Sequence, residues 1–166
     1  MKNARIWFLA AAIVMVASFG LYRWDFRQNA PDAEFVTITG ERILLRELRG
    51  HPVLVTFWAS DCRACLEEIP ELVALYREFS ERGFKLISVV MSYDIPSRVL
   101  SLARAKQLPY PIVLDPRGHF AETFNRVQLV PNSFLIAPDG HIVMHQLGRI
   151  DARNLRERVE QLFGEV

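Results

Sequence analysis

A continuous apolar run, Val53 to Trp58, leads into a pair of cysteines, Cys62 and Cys65. No other stretch narrows the possible folds as much. The run is rich in β-branched and aromatic residues, the pattern of a strand buried on both faces. Ala59, Ser60 and Asp61 follow, short residues suited to a turn and a helix N-cap. A helix that starts at Cys62 puts both sulfurs on one face, one turn apart. Its unpaired N–H groups and positive dipole end stabilise a thiolate at the first cysteine. A strand that delivers a C-x-x-C to a helix start therefore specifies a reactive dithiol. The plainer alternative is two buried structural cysteines.

These are the only two cysteines. A structural zinc site wants four ligands. The histidines, His51, His119, His141 and His145, are not at ligand spacing from the pair. On a strand, His141 and His145 lie about 13 Å apart, too far to share an ion. No metal is expected. Residues 1–33 hold four basic and two acidic side chains, which leaves 16 basic against 17 acidic elsewhere. With a net charge of +1 and no basic stripe, nucleic acid is not an expected partner. At 166 residues and 51% hydrophobic, the chain accommodates one domain with a real core plus one membrane segment.

That segment is the apolar run Ile6 to Tyr22, about 26 Å long at helical rise. Lys2 and Arg5 precede it, and Trp7, Tyr22 and Trp24 mark its ends. The expected order is a cytoplasmic N-terminus (1–5), a transmembrane anchor or signal peptide (6–22), a polar tether (23–33) and a folded domain (34–166). Positive charge before the run places the domain outside the cytoplasm, in an oxidising compartment. Within the domain, short strands are expected at Glu34–Thr39 and Ile43–Leu45. The helix after Cys62 should run to about Arg82, where Gly83 stops it. Further strands are expected at Lys85–Met91, Ile112–Leu114, Asn132–Ile136 and Ile142–Leu147. Helices are expected at Pro96–Lys106, Phe120–Phe124 and after Asp151. Alternating strands and helices that end in a hairpin make an α/β sheet sandwiched by helices.

The chain resembles the thioredoxin superfamily, and within it the membrane-anchored TlpA/ResA-like thiol-disulfide oxidoreductases. The resemblance rests on C-x-x-C with Pro70 eight residues after Cys62, on Ala30-Pro31-Asp32 and Leu48-Arg49-Gly50-His51-Pro52-Val53, and on Val130-Pro131-Asn132-Ser133-Phe134 followed by Pro138-Asp139-Gly140. It covers about residues 30 to 163. It implies a thioredoxin fold with an N-terminal β-hairpin extension. It also implies a disulfide reductase in the periplasm or its equivalent, acting on exported proteins such as apocytochrome c, as in cytochrome c biogenesis. Its electrons would come from a transmembrane thiol carrier, and no cofactor is implied beyond the redox-active Cys62–Cys65 disulfide.

At the exposed helix tip Cys62 is the expected nucleophile, and Cys65, one turn inside, the resolving thiol. The resemblance assigns further roles. Pro131 matches the cis-proline, and Val130 before it pairs with an extended substrate segment. Trp58 either joins that surface or packs as core beneath it. Asp61 replaces the family's usual tryptophan; it either tunes the Cys62 thiol or caps the helix. Arg63 beside Cys62 favours the thiolate. Thr56 stands where thioredoxins have a buried acid and cannot ionise. Asp94, after Tyr93, is the substitute proton acceptor, unless it is a plain helix cap. The rivals are an oxidase or isomerase on the same fold, and a thiol- or copper-binding module. A peroxidase would need a threonine where Ala59 stands.

Overall fold

The computed structural model describes residues 28–164. The expected membrane segment and the start of the tether lie outside them. Among the described residues no helix is long and apolar enough to cross a membrane.

Strands β1 (Glu34–Val36) and β2 (Arg42–Leu44) form an antiparallel hairpin. Strands β3 (Val53–Trp58), β4 (Lys85–Val90), β5 (Ile112–Leu114), β6 (Asn132–Ile136) and β7 (Ile142–Leu147) form one sheet, ordered β5-β4-β3-β6-β7. Four helices accompany it: α1 (Arg63–Phe79), α2 (Pro96–Lys106), α3 (His119–Thr123) and α4 (Ala152–Gly164). This is the thioredoxin fold with its hairpin extension. β3 runs parallel to β4 and antiparallel to β6, which is antiparallel to β7. The C-terminal ends of β3, β4 and β7 and the N-terminal end of β6 therefore meet at one end of the sheet.

All six residues of β3 are buried, as its unbroken apolar run requires. Alternate side chains serve two cores. Val53, Val55 and Phe57 pack with Phe35, Phe124 and Phe134 on one face. Leu54 packs on the other with Leu72, Leu75 and Phe79 of α1 and Leu155, Val159 and Leu162 of α4. Each fully buried Leu or Phe contributes roughly 1.5–3 kcal/mol. Arg82, in the turn just after α1, bonds to α4 through both oxygens of Glu160 at 2.8 and 2.9 Å, with its guanidinium 4.4 Å from the Phe163 ring. These exposed pairs orient the helices more than they stabilise them.

Besides one-residue shifts in β2, β4 and α3, three boundaries differ from expectation. β1 ends at Val36, because the Thr37 hydroxyl accepts from the amides of Thr39 (3.3 Å) and Glu41 (3.1 Å) and turns the chain there. α1 ends at Phe79, and a 3-10 turn, Ser80–Arg82, carries on to Gly83. Gly83 has φ +104, and a Cβ there would lie 2.6 Å from His51 Nδ1, so both conformation and space demand glycine. The domain also begins before residue 34. The Ala30 amide donates to the Gly140 carbonyl (2.9 Å) and the Ile142 amide to the Gln28 carbonyl (2.8 Å), so the end of the expected tether is docked.

Candidate active site

The Cys62–Cys65 pair is disulfide-bonded, with Cα atoms 5.3 Å apart. Cys62 is the N-cap of α1, and its sulfur accepts from the Cys65 amide at 3.2 Å. The helix therefore starts one residue later than expected, and the cap is the sulfur itself. This removes the reading of Asp61 as the cap. A sulfur that already accepts a helix N–H is positioned to be stabilised as a thiolate once reduced. The two cysteines differ in access: Cys62 is half-buried, and Cys65 is 1% exposed.

Two loops flank the turn that carries Cys62. On the β6 side, the Val130 carbonyl oxygen lies 3.7 Å from Cys62 Sγ, and the Val130–Pro131 bond is cis. On the β4 side, Asp94 is not the cap of α2. That position belongs to Ile95, which makes no side-chain capping bond. The Asp94 carboxylate instead accepts from the Ser60 amide (2.5 Å), the Ser60 hydroxyl (2.7 Å) and the Ile95 amide (2.7 Å). It clasps the loop after β4 to the loop that leads into Cys62. Asp61 is exposed and makes no salt bridge among the described residues; its charge and burial both raise the Tyr93 phenol, burial more. Arg63 pairs with Glu67 at 2.8 Å, one turn along α1. That pairing holds the exposed Glu67 carboxyl below its usual range.

Beneath the dithiol the lining is buried. Trp58 is buried, so it does not form part of the docking surface; it lines a small internal space with Cys65, Glu68, Thr56, Ser88 and Tyr110. The space measures about 10 Å³. The Thr56 hydroxyl accepts from the Ser133 hydroxyl at 2.8 Å, which satisfies it inside the sheet. The one carboxyl in this lining is Glu68, which is 2% exposed and accepts from the Ile150 amide at 3.3 Å. Burial pushes its pKa up to about 7, against the lowering effect of the Ile150 bond. Sequence reading passed over Glu68. The available signal was its spacing: it follows Cys65 by three and precedes Leu72 by four, within the buried stripe of α1.

Residues 26–145 match the AhpC/TSA family. The chain belongs to this family. Over 173 residues it is 25% identical to the thiol-disulfide oxidoreductase ResA of Bacillus cereus, which covers 98% of this chain and 99% of that protein. The sporulation thiol-disulfide oxidoreductase A of Bacillus subtilis is 29% identical over 159 residues, 89% of this chain and 95% of that one. The crystal structure of StoA from Bacillus subtilis aligns with a TM-score of 0.67 at 28% identity, over 77% of this chain and 96% of StoA. A thiol:disulfide interchange protein from Chlorobium tepidum shares the fold, with a TM-score of 0.76 at 22% identity over 83% of this chain and 97% of that one. With the Cys62–Cys65 pair in place, the chain is a thiol-disulfide oxidoreductase of the ResA and StoA type.

Proposed function

We propose that this oxidoreductase is a membrane-tethered, extracytoplasmic disulfide reductase, held by residues 6–22 and acting on exported proteins such as apocytochrome c. The observation that carries its mechanism is the asymmetry of the pair: an accessible sulfur at a helix cap, and a buried one beside a buried carboxyl. The Cys62 thiolate attacks a substrate disulfide and forms a mixed disulfide, and the first substrate sulfur leaves as a thiolate. Glu68, ionised, takes the proton from the Cys65 thiol. The Cys65 thiolate then attacks Cys62 Sγ, which forms the Cys62–Cys65 disulfide and releases the second substrate sulfur. Two electrons pass to the substrate, and a transmembrane thiol carrier restores the dithiol. The likeness to TlpA/ResA-type proteins supports the reductive direction.

The test of direction is the equilibrium reduction potential against glutathione. A reductase should lie near the thioredoxin end of the range, about −270 mV, and an oxidase near about −120 mV. A value at the oxidising end would sink the reductase reading. A pair that does not cycle would favour the thiol-binding module.

A further inference from the structure

The one hydrogen bond that Glu68 accepts among the described residues comes from outside α1. The Ile150 amide donates it at 3.3 Å. Ile150 belongs to the loop, 148–151, that joins β7 to α4. Both ends of that loop are fastened. The Gly148 amide donates to the Pro131 carbonyl at 2.8 Å. The Asp151 carboxylate accepts from the amides of Arg153 (3.0 Å) and Asn154 (3.2 Å) at the start of α4. The middle of the loop reaches the surface of α1 through Arg149. Its guanidinium lies 3.6 Å from the Glu67 carboxylate and 3.4 Å from that of Glu71. These two carboxylates stand one turn apart and straddle Glu68 in the sequence. Arg63 also holds Glu67, at 2.8 Å, so Arg63, Glu67, Arg149 and Glu71 form one run of alternating charge on α1 and the loop.

Each of these pairs is exposed, and each alone adds little to stability. What the run can do is fix a position. A 3.3 Å N–H···O bond is at the long end of the range, so a small movement of the loop breaks it. That bond and the Arg149 charge favour the ionised Glu68 carboxyl, whereas burial and the Glu71 charge oppose it. Two other titratable groups face Glu68 across the internal space, Cys65 of α1 and Tyr110 before β5. Glu78 and Arg156, paired with each other, line the cleft between α1 and α4 that Glu68 and Glu71 also line.

We propose that Arg149 is a positioning residue for the resolving step: its grip on Glu67 and Glu71 holds the Ile150 amide against Glu68, the base for the Cys65 thiol. This rests on Glu68 being the proton acceptor, and it deepens that reading by naming what sets the pH at which Glu68 acts.

The experiment follows mixed-disulfide decay by rapid mixing from pH 5 to 9, with the full-length chain in detergent. The Arg149 side chain is 47% exposed, and Arg149→Met keeps its apolar stem, so the fold should tolerate the change. Arg149→Met should move the midpoint of the acceleration up by about half a pH unit. Arg149→Lys keeps the charge but not the fork that spans two carboxylates, so it should move the midpoint less. Hydrogen exchange reads the position directly. In Arg149→Met the Ile150 amide should exchange about tenfold faster while the amides of β3 keep their rates. Both changes are required. A shifted midpoint with unchanged exchange would be a bare charge effect, and it overturns the proposal. So does faster Ile150 exchange with an unmoved midpoint, or a rise in exchange across the whole domain. If neither changes, packing of the buried Ile150 side chain places the loop unaided, and Arg149 has no such role. If Glu68→Gln keeps the acceleration of the unaltered chain, the acceptor reading itself has failed. If Glu68→Gln loses it and Arg149→Met behaves as the unaltered chain does, only the role of Arg149 has failed.

Discussion

Cys62 and Cys65 stand one helical turn apart, yet they belong to different regions of the molecule. Cys62 lies at the rim: half-exposed, at a helix cap, between two braced loops. Cys65 lies over the floor: buried among Trp58, Thr56, Ser88 and Tyr110, with Glu68 beside it. The rim carries charges in water, such as Asp61 and the Arg63–Glu67 pair, where screening makes each worth little. The floor holds one carboxyl out of water, where its protonation state matters to both stability and chemistry. One sulfur meets substrate, and the other meets a proton acceptor.

The largest expected effect is at the floor. Glu68→Gln should slow release of the mixed disulfide by about a hundredfold above neutral pH, where Glu68 is ionised and able to accept a proton. In the unaltered protein that step should accelerate as pH rises through about 7, and the variant should lack the acceleration. Rapid-mixing kinetics of mixed-disulfide decay from pH 5 to 9 reads both. Stability gives the opposite sign. Because the folded pKa is raised from 4.5 to about 7, the group's contribution is fully present below about pH 4.5 and is lost as pH rises to about 7. Glu68→Gln should remove that slope and be the more stable protein at pH 8, by on the order of 2 kcal/mol. Urea titrations at pH 4.5 and pH 8 check it; parallel curves would mean that Glu68 is ordinary.

The next effect joins the two regions. Asp94→Ala leaves the buried Ser60 amide and hydroxyl without their acceptor, at a cost of about 2 kcal/mol in unfolding free energy. Asp94→Asn, which keeps one carbonyl oxygen, should lose less. If both are neutral in denaturant titration, the clasp does not brace the site.

The smallest effect is at the rim. Asp61→Asn removes an exposed negative charge near the sulfur, so the Cys62 thiol should ionise slightly more readily and alkylate about twofold faster at pH 6. An effect as large as that of Glu68→Gln would break the division between screened rim and unscreened floor.

Much of the rim was legible in the sequence, because local pattern determines it. An apolar strand, short turn residues and C-x-x-C dictate an exposed dithiol at a helix start, and Val130-Pro131 resembled the loop that faces it. The α/β class followed from the same alternation, and the thioredoxin fold with its hairpin extension from the resemblance. The floor was not legible in this way. Glu68 was hidden because α1 was read for its apolar stripe, and an acid at a buried position breaks that stripe without announcing burial. Asp94 was noticed for its type but not for its partner, since its bond to Ser60 spans 34 residues and depends on β3 and β4 lying side by side. The cap escaped for a simpler reason: a cysteine sulfur took the place expected of Asp61.

The division of labour between the sulfurs is tested most directly by trapping. Cys65→Ala and Cys62→Ala variants are incubated with a disulfide substrate, and the mixed disulfides are resolved on a non-reducing gel, with thiol added to a parallel sample. Cys65→Ala should accumulate a stable, thiol-sensitive complex, because its accessible sulfur attacks and nothing resolves the product. Cys62→Ala should trap little, because Cys65 is 1% exposed beneath the helix tip. Equal trapping by both variants, or turnover by either, would contradict the assignment of one sulfur to the rim and the other to the floor.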